Sequence, residues 1–407
     1  MAGSTIDHLV ALGVFIGAML LFISLFNQTL QTAILYQEHR QLATKCSDML
    51  DNILLNPGYP QNWGMTNSTP TSFGLQDPEF TEYRLSPYSL MRLQSATGTP
   101  IVYPKTGLTY SNVSSGFGNF LFVPYTLAID YVTATKLLGI NNTYGFQLTI
   151  SPIVTVQITE TQATNPLTLN VHAFGSGFPL SNATLSYCFL KVVPKGQGNS
   201  PFYESTFGTT YTDDGGSSVL TFSGVAQTDS YVLIVYAHMS GLTGIGYKER
   251  IMSDKRYVIP LIDSFQDRRV LLAHSYDVHY YGPPESAVFF NATFVILSQD
   301  FTLREMPLEN STGKTGKVNY GAGQPYSTLT IPTYNPGILV ITYESNNEYG
   351  VVLMPWGLSS LAFSITFGGQ SSGMEWVATD TRQVVVNGIA YQVKLAMWSY
   401  QGQQVIA

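Results

Sequence analysis

Leu9–Phe26 reads LVALGVFIGAMLLFISLF, without a charged residue. At about 1.5 Å of rise per residue, this helix would be about 27 Å long, close to the roughly 30 Å hydrocarbon core of a bilayer. A cleaved secretory signal would carry a basic n-region and a small-residue cleavage box after a shorter apolar core. Residues 1–8 contain no Lys or Arg, and the apolar run leads into more helix-compatible sequence. The segment is therefore expected to be a retained anchor in contact with membrane lipid.

The helix continues past the apolar run, since Asn27–Leu55 contains no Gly or Pro. Leu35, Leu42, Cys46, Met49 and Ile53 fall at helical spacing and define one apolar packing stripe. Asn56-Pro57-Gly58 then ends the helix, because Pro cannot continue it and Gly supplies the turn. The expected rod covers residues 1–56, apolar on all sides in its first half and amphipathic in its second. Such a rod suits a membrane anchor with a stalk, or a filament-forming helix.

Beyond residue 56 the chain reads as mainly β. Residues 57–146 form a mixed connecting region with short helices at Leu85–Leu93 and Asp130–Gly139 and a strand at Tyr144–Ile150. Residues 147–262 read as a β-sandwich. Leu167, Leu169 and Val171 alternate with polar residues, Tyr231–Ala237 is a continuous apolar run suited to a central strand, and Asp213-Asp214-Gly215-Gly216 is a tight turn. Residues 263–407 read as a second β domain, with strands at Val270–Tyr281, Ala287–Ser298, Ile338–Glu344, Val351–Trp356 and Ala362–Phe367. It closes on a hairpin turning at Asn387-Gly388.

Composition narrows the function. The chain has 407 residues, of which 44% are hydrophobic and 13% aromatic, enough for a large core. Charged residues are only 11%, so the surface is polar through Ser, Thr, Asn, Gln and Tyr, as in many secreted and cell-surface β proteins. A net charge of -7 with no basic stripe excludes a nucleic-acid partner. The two cysteines, Cys46 and Cys188, are expected to remain unpaired.

Arg40 and Lys45 follow the span and no basic residue precedes it, which favours a cytoplasmic C-terminus. Against that stand six Asn-x-Ser/Thr triplets outside the span, at Asn67, Asn112, Asn141, Asn182, Asn291 and Asn310, with another at Asn27 on its edge. The sequons, the low charge and the β-rich head together place the C-terminal part outside the cell.

Candidate catalytic and metal signatures have simpler readings. Gly369-Gln370-Ser371-Ser372-Gly373 has nucleophile-elbow spacing, but Met374–Ala378 reads as strand rather than the helix an elbow requires. His274 and His279 would lie on opposite faces of a strand. Asp277 and His279 would share a face, yet two ligands are too few for a defined metal site. Asp213 and Asp214 fall short of a calcium ligand set and read as turn formers. No catalytic residue, metal site or cofactor is expected.

The N-terminal stretch Gly3–Leu9 with its apolar run, and the helix stop Leu54–Gly64, resemble archaeal type IV pilin-like surface proteins. The short helix at Asp130–Gly139 followed by the Tyr144–Ile150 strand resembles them as well. That resemblance implies processing after Gly3, although the family's basic pair before the Gly is absent here, and implies identical subunits as filament partners. Phe178–Thr184, Thr212–Gly215 and Tyr231–Ala237 are similar to immunoglobulin-like and carboxypeptidase-regulatory-like modules, which implies a spacer or adhesive role. The leading expectation is a non-enzymatic, membrane-anchored surface protein, structural, adhesive or filament-forming. The alternatives are a monomeric tethered carbohydrate-binding protein and a surface hydrolase.

Overall fold

The computed structural model describes residues 2–400 apart from 94–99, 115–119, 141–142, 197–198, 253–255, 280–285, 298–302, 309–315, 320–324 and 358–363. The protein is mainly β, with a long N-terminal helix, Ala2–Leu55, followed by a head that, among the described residues, is built from five sheets.

Alternation of apolar residues accounts for the sandwich. One sheet holds Ser217–Phe222, Leu167–Gly175 and Val154–Gln162; the other holds Leu242–Arg250, Tyr231–Met239, Thr184–Val193 and Phe202–Tyr211. Leu167, Leu169, Val171 and Ala173 point inward against Leu185, Phe189, Leu233 and Val235. Phe189 and Phe222 stack across the gap, with ring centroids 3.9 Å apart.

The second sheet of the sandwich has a second buried face. Val232, Ile234 and Tyr236 join Cys188, Leu190 and Val192 in the large central core. All of Tyr231–Ala237 is therefore buried, which is the physical reason the run is apolar without alternation. That face meets another sheet, made of Leu303–Pro307, Ala287–Leu297, Gly337–Ser345, Glu348–Trp356 and Gly316–Asn319. Every residue of Gly337–Ser345 is buried. Thr342 donates its hydroxyl to the Pro201 carbonyl on the sandwich side at 3.0 Å. Tyr343 packs edge-on to Tyr257 on the other side, 6.0 Å between centroids. A six-stranded sheet lies beyond: Ile101–Tyr103, Leu108–Ser114, Phe120–Pro124, Val258–Ser264, Arg269–His274 and Tyr326–Thr330.

The fifth sheet carries the helix. Its order is Ile365–Gly368, Tyr144–Pro152, Ile389–Ser399, Ala378–Val386. The expected hairpin closes it, with Asn387 at φ 47° and Gly388 at φ 81°, the left-handed pair that a tight two-residue turn demands.

Several local expectations hold. Helices form at Pro87–Met91, capped by Ser86, and at Tyr131–Leu137, where the Asp130 carboxylate accepts from the Thr133 amide at 2.7 Å. Cys46 and Cys188 are buried free thiols.

The pairing corrects the domain boundaries. Tyr144–Pro152 bonds to Ile389–Ser399 and Ile365–Gly368, so it belongs with the C-terminal hairpin rather than with the 147–262 unit. Phe120–Pro124, from the connecting region 57–146, pairs in parallel with Val258–Ser264, which in turn pairs with Arg269–His274. The sandwich strands themselves run from Val154 to Arg250. Pairing between distant segments is a non-local choice, invisible to strand periodicity.

The expected strand Val270–Tyr281 ends at His274 and turns into a one-turn helix, Tyr276–His279, while Tyr280 and Tyr281 lie outside the described residues. Met374–Val377, expected as strand, lie in a loop, and only Ala378 enters a strand, at its first residue. Ser298 and Ala362, at the ends of two other expected strands, also lie outside the described residues.

His274 explains the early end of its strand. It is fully buried, its Nε2 faces the Ser286 carbonyl at 3.1 Å, and its Nδ1 accepts from the Tyr276 amide at 3.1 Å. This pairing selects the neutral Nε2–H tautomer, and burial lowers the imidazole pKa below its ordinary value. A base with a depressed folded-state pKa stabilises the fold fully above its unfolded value, near 6.5, and loses that contribution as pH falls below it. Thermal unfolding followed from pH 7.5 to 5 is expected to show a loss of stability that His274→Gln flattens.

Candidate functional site: the N-terminal helix and its seat

Every side chain from Asp7 to Glu38 on the helix is exposed. This is one helix long and apolar enough to cross a membrane, and its apolar window makes no contact that buries it in the head. The uncharged stretch runs beyond Phe26 to Gln37. Within it, the Thr29 and Thr32 hydroxyls donate to the Leu25 and Gln28 carbonyls, each at 2.8 Å, so neither presents an unpaired donor to apolar surroundings.

The head takes hold at His39, whose ring stacks on Trp376 at 3.9 Å between centroids. One turn and a half later the Lys45 ammonium lies 4.0 Å above the Tyr144 ring. From Leu42 onward the apolar stripe is buried: Leu42, Cys46, Met49 and Ile53, joined by Leu50 and Leu54. Burial of each large aliphatic side chain contributes about 1.5–3 kcal/mol. Leu35 is 51% exposed, which corrects its place in the stripe. Its spacing continues the pattern, but the head does not extend that far along the helix.

Cys46 sits where backbone passes closest. Its sulfur lies 3.7 Å from the Ala378 and Leu395 carbonyls, and burial pushes the thiol up to about 11.

The polar flank of the stripe is clamped by an arginine from the C-terminal hairpin. Arg382 bridges the Asp51 carboxylate through Nε at 2.9 Å and Nη2 at 3.1 Å, and also reaches the Ser47 hydroxyl at 3.0 Å. Tyr83 donates to the same carboxylate at 3.1 Å. Ser47 and Asp51 are one turn apart, so the planar guanidinium fork spans them.

The helix end is closed by the chain that follows. The Leu75 amide donates to the Ile53 carbonyl at 2.8 Å and the Gln76 amide to the Asn56 carbonyl at 3.1 Å. A Cβ on Gly74 would come within 2.0 Å of that Asn56 oxygen, so only glycine allows the approach.

Beneath this turn lies Arg92, fully buried and facing no carboxylate in its hydrogen bonding. It donates to the carbonyls of Leu127 at 2.7 Å, Thr66 at 3.2 Å, Ser68 at 2.8 Å and Trp63. Its guanidinium stacks over the Trp63 ring, 5.1 Å from the centroid. Burial lowers its pKa to about 10, which leaves it charged at neutral pH. Sequence reading missed Arg92, Asp51, Arg382 and Trp376. For Arg92, Asp51 and Arg382 the available signal was the rarity of charge in this chain; Trp376 carried no such signal.

The remaining candidates are dispersed. Asn182 is exposed in a turn at φ 56°. Asn67 is exposed as a residue, yet its Nδ2 donates to the Ser264 hydroxyl at 2.9 Å and its Oδ1 accepts from the Phe265 amide at 3.1 Å. Asn291 lies within strand Ala287–Leu297 and Asn112 within Leu108–Ser114. Asn141 and Asn310 lie outside the described residues. Gly3 lies within the helix.

The Asp213 carboxylate accepts from the Gly215 amide at 2.9 Å and the Ser217 amide at 2.8 Å, forming a closed turn. Ser371 sits in a loop between two strands. Among the described residues no group of three His, Cys, Asp or Glu side chains converges to hold a metal ion.

No protein-family model matches the chain, and no curated protein matches it. Among solved structures it is similar to trypsin-activated alpha-2-macroglobulin from Escherichia coli, at 10% identity and a TM-score of 0.21 over 71% of this chain and 20% of that one. It is also similar to a two-domain fibronectin type III segment of chicken tenascin, at 9% identity and a TM-score of 0.16 over 49% of this chain and 96% of that one. A third is red sea bream transglutaminase, at 9% identity and a TM-score of 0.18 over 63% and 41%. The chain spans about one fifth of the macroglobulin's length. At these scores the likenesses carry no argument about what the chain does.

Two outcomes test the seat. In a double-mutant cycle, Asp51→Asn and Arg382→Gln are expected to couple by about 1 kcal/mol, because the fork is bidentate but partly exposed. Arg92→Met is expected to cost about 3 kcal/mol in denaturant unfolding, by stranding the carbonyls of Trp63, Thr66, Ser68 and Leu127 on two segments. Arg92→Lys should not restore it, since a single ammonium cannot reach them all.

Proposed function

We propose that the chain is a single-pass, membrane-anchored protein of the cell surface, with its β-layered head outside, acting as a non-catalytic structural or adhesive component of the pilin-like kind. The observation that carries this reading is the two-part helix: bare from Asp7 to Glu38, then seated in the head from Leu42 to Leu54. A helix that made only internal contacts would bury its most apolar half first, and this one leaves that half outside.

The length of the uncharged stretch supports a filament role over a plain tether. Residues 9–37 extend about 43 Å as helix, well past the roughly 30 Å of a hydrocarbon core. A bundle of identical helices accommodates such a length, and the internally satisfied Thr29 and Thr32 suit dry packing there. The polar, weakly charged surface of the head and the exposed sequon at Asn182 support the outside location.

Protease shaving of intact cells followed by mass spectrometry tests sidedness. Peptides from the head are expected in the shaved fraction, with Leu9–Phe26 retained in the membrane and glycan on Asn182. Head peptides released only after lysis would overturn the outside placement. Recovery of the full chain as a detergent-free monomer would overturn the anchor.

A further inference from the structure

We propose that strand Phe202–Tyr211 is a self-association edge, at which two copies of this chain pair antiparallel about a two-fold axis through Phe207 and merge their four-stranded sheets. The strand bonds to Thr184–Val193 along its whole length without a bulge, and it is the outermost strand of its sheet. Among the described residues no backbone group outside Thr184–Val193 pairs with it. Glu204 through Phe207, Thr209 and Tyr211 are exposed, with Phe207 at 45% and Tyr211 at 61%.

Two other edges of this head are closed. Leu242–Arg250, at the opposite side of the same sheet, runs tight against Val154–Gln162. A Cβ on Gly244 would meet the Val154 carbonyl at 2.6 Å, and one on Gly246 the Val156 carbonyl at 2.4 Å. The edge of Ala378–Val386 is covered by residues 83–85, through Val385 amide to Tyr83 carbonyl at 2.8 Å and Leu85 amide to Val385 carbonyl at 3.0 Å. Proteins keep open edges apart with lysine, proline or a bulge. Phe202–Tyr211 carries none of these, and Glu204 is its single charge.

The strand's own order of residues selects a second copy as the occupant. Tyr203, Ser205, Phe207, Thr209 and Tyr211 share one face of the sheet. A two-fold axis normal to the sheet sets same-face residues opposite one another. With the axis at Phe207, Phe207 meets its own copy, Tyr203 meets Tyr211, Ser205 meets Thr209, and Glu204 meets Thr210. Phe207 faces Phe207, Tyr211 meets the edge of Tyr203 (whose hydroxyl is held by Thr293 at 2.8 Å and Glu305 at 3.2 Å), hydroxyls face hydroxyls, and no like charges oppose. Moving the axis to Thr206 or Gly208 sets Phe207 opposite Ser205 or Thr209 and breaks the ring pairs. Anchoring through Leu9–Phe26 confines copies to one surface, which raises their effective concentration for so small a contact.

Single cysteine substitutions in the full chain, held in detergent micelles and exposed to a mild oxidant, read this register. Phe207→Cys is expected to give a covalent dimer by itself. Ser205→Cys and Thr209→Cys are expected to cross-link only when the two variants are mixed, because each is about 13 Å from its own copy. No dimer at Phe207→Cys, equal yields at all three positions, or a Phe207→Cys dimer without the mixed one would each overturn the proposal. In the otherwise native chain, Phe207→Lys is expected to lower dimer recovery about tenfold, by losing a ring pair and opposing two charges. Unchanged recovery would overturn it too. Shielding of the buried Cys46 and Cys188 from thiol reagents reports that each variant is folded; were Phe207→Lys to expose them, Thr209→Lys on the same face takes its place.

Discussion

The apolar stripe of the N-terminal helix between Leu42 and Leu54 must be buried, and the sheet that buries it is assembled from the far end of the chain. Ile389–Ser399 and Ala378–Val386 supply the surface, while Tyr144–Pro152 and Ile365–Gly368 widen it. Until those strands pair, the lower half of the helix has nothing to lie on. The seat therefore ties the start of the chain to its end and joins the head to the helix.

Low charge shapes how the rest is held. With few ion pairs to use, the protein stabilises its buried polar groups through backbone. Arg92 answers four carbonyls rather than a carboxylate, and His274 is fixed between an amide and a carbonyl. The turn at Asp213 and the cap at Asp130 likewise spend their carboxylates on main-chain N–H groups. A buried cation satisfied by carbonyls holds two segments at once, as Arg92 does for the turn below the helix.

Layering explains the composition of the strands. A sheet with one wet face alternates, as Leu167–Gly175 does, whereas sheets packed on both faces read as unbroken apolar runs, as Tyr231–Ala237 and Gly337–Ser345 do. Stacking also sets the Leu242–Arg250 edge against a neighbouring strand, whereas Phe202–Tyr211 is left unblunted on a surface poor in charge.

The sequence by itself determined the long apolar N-terminal helix, the stop at Asn56-Pro57-Gly58, the β-rich head, the sandwich strands and the Asn387-Gly388 hairpin. Each depends on neighbours in the chain: hydropathy over one helix length, period-two alternation, or a turn that needs left-handed residues. Tertiary structure decided the rest. It joined Tyr144–Pro152 to the C-terminal hairpin across the expected domain boundaries, ended the buried stripe at Leu42 and left Leu35 bare, and brought Arg382 to Asp51. Those outcomes turn on which distant surfaces meet, and periodicity along a chain records how much of a segment is buried but not against what.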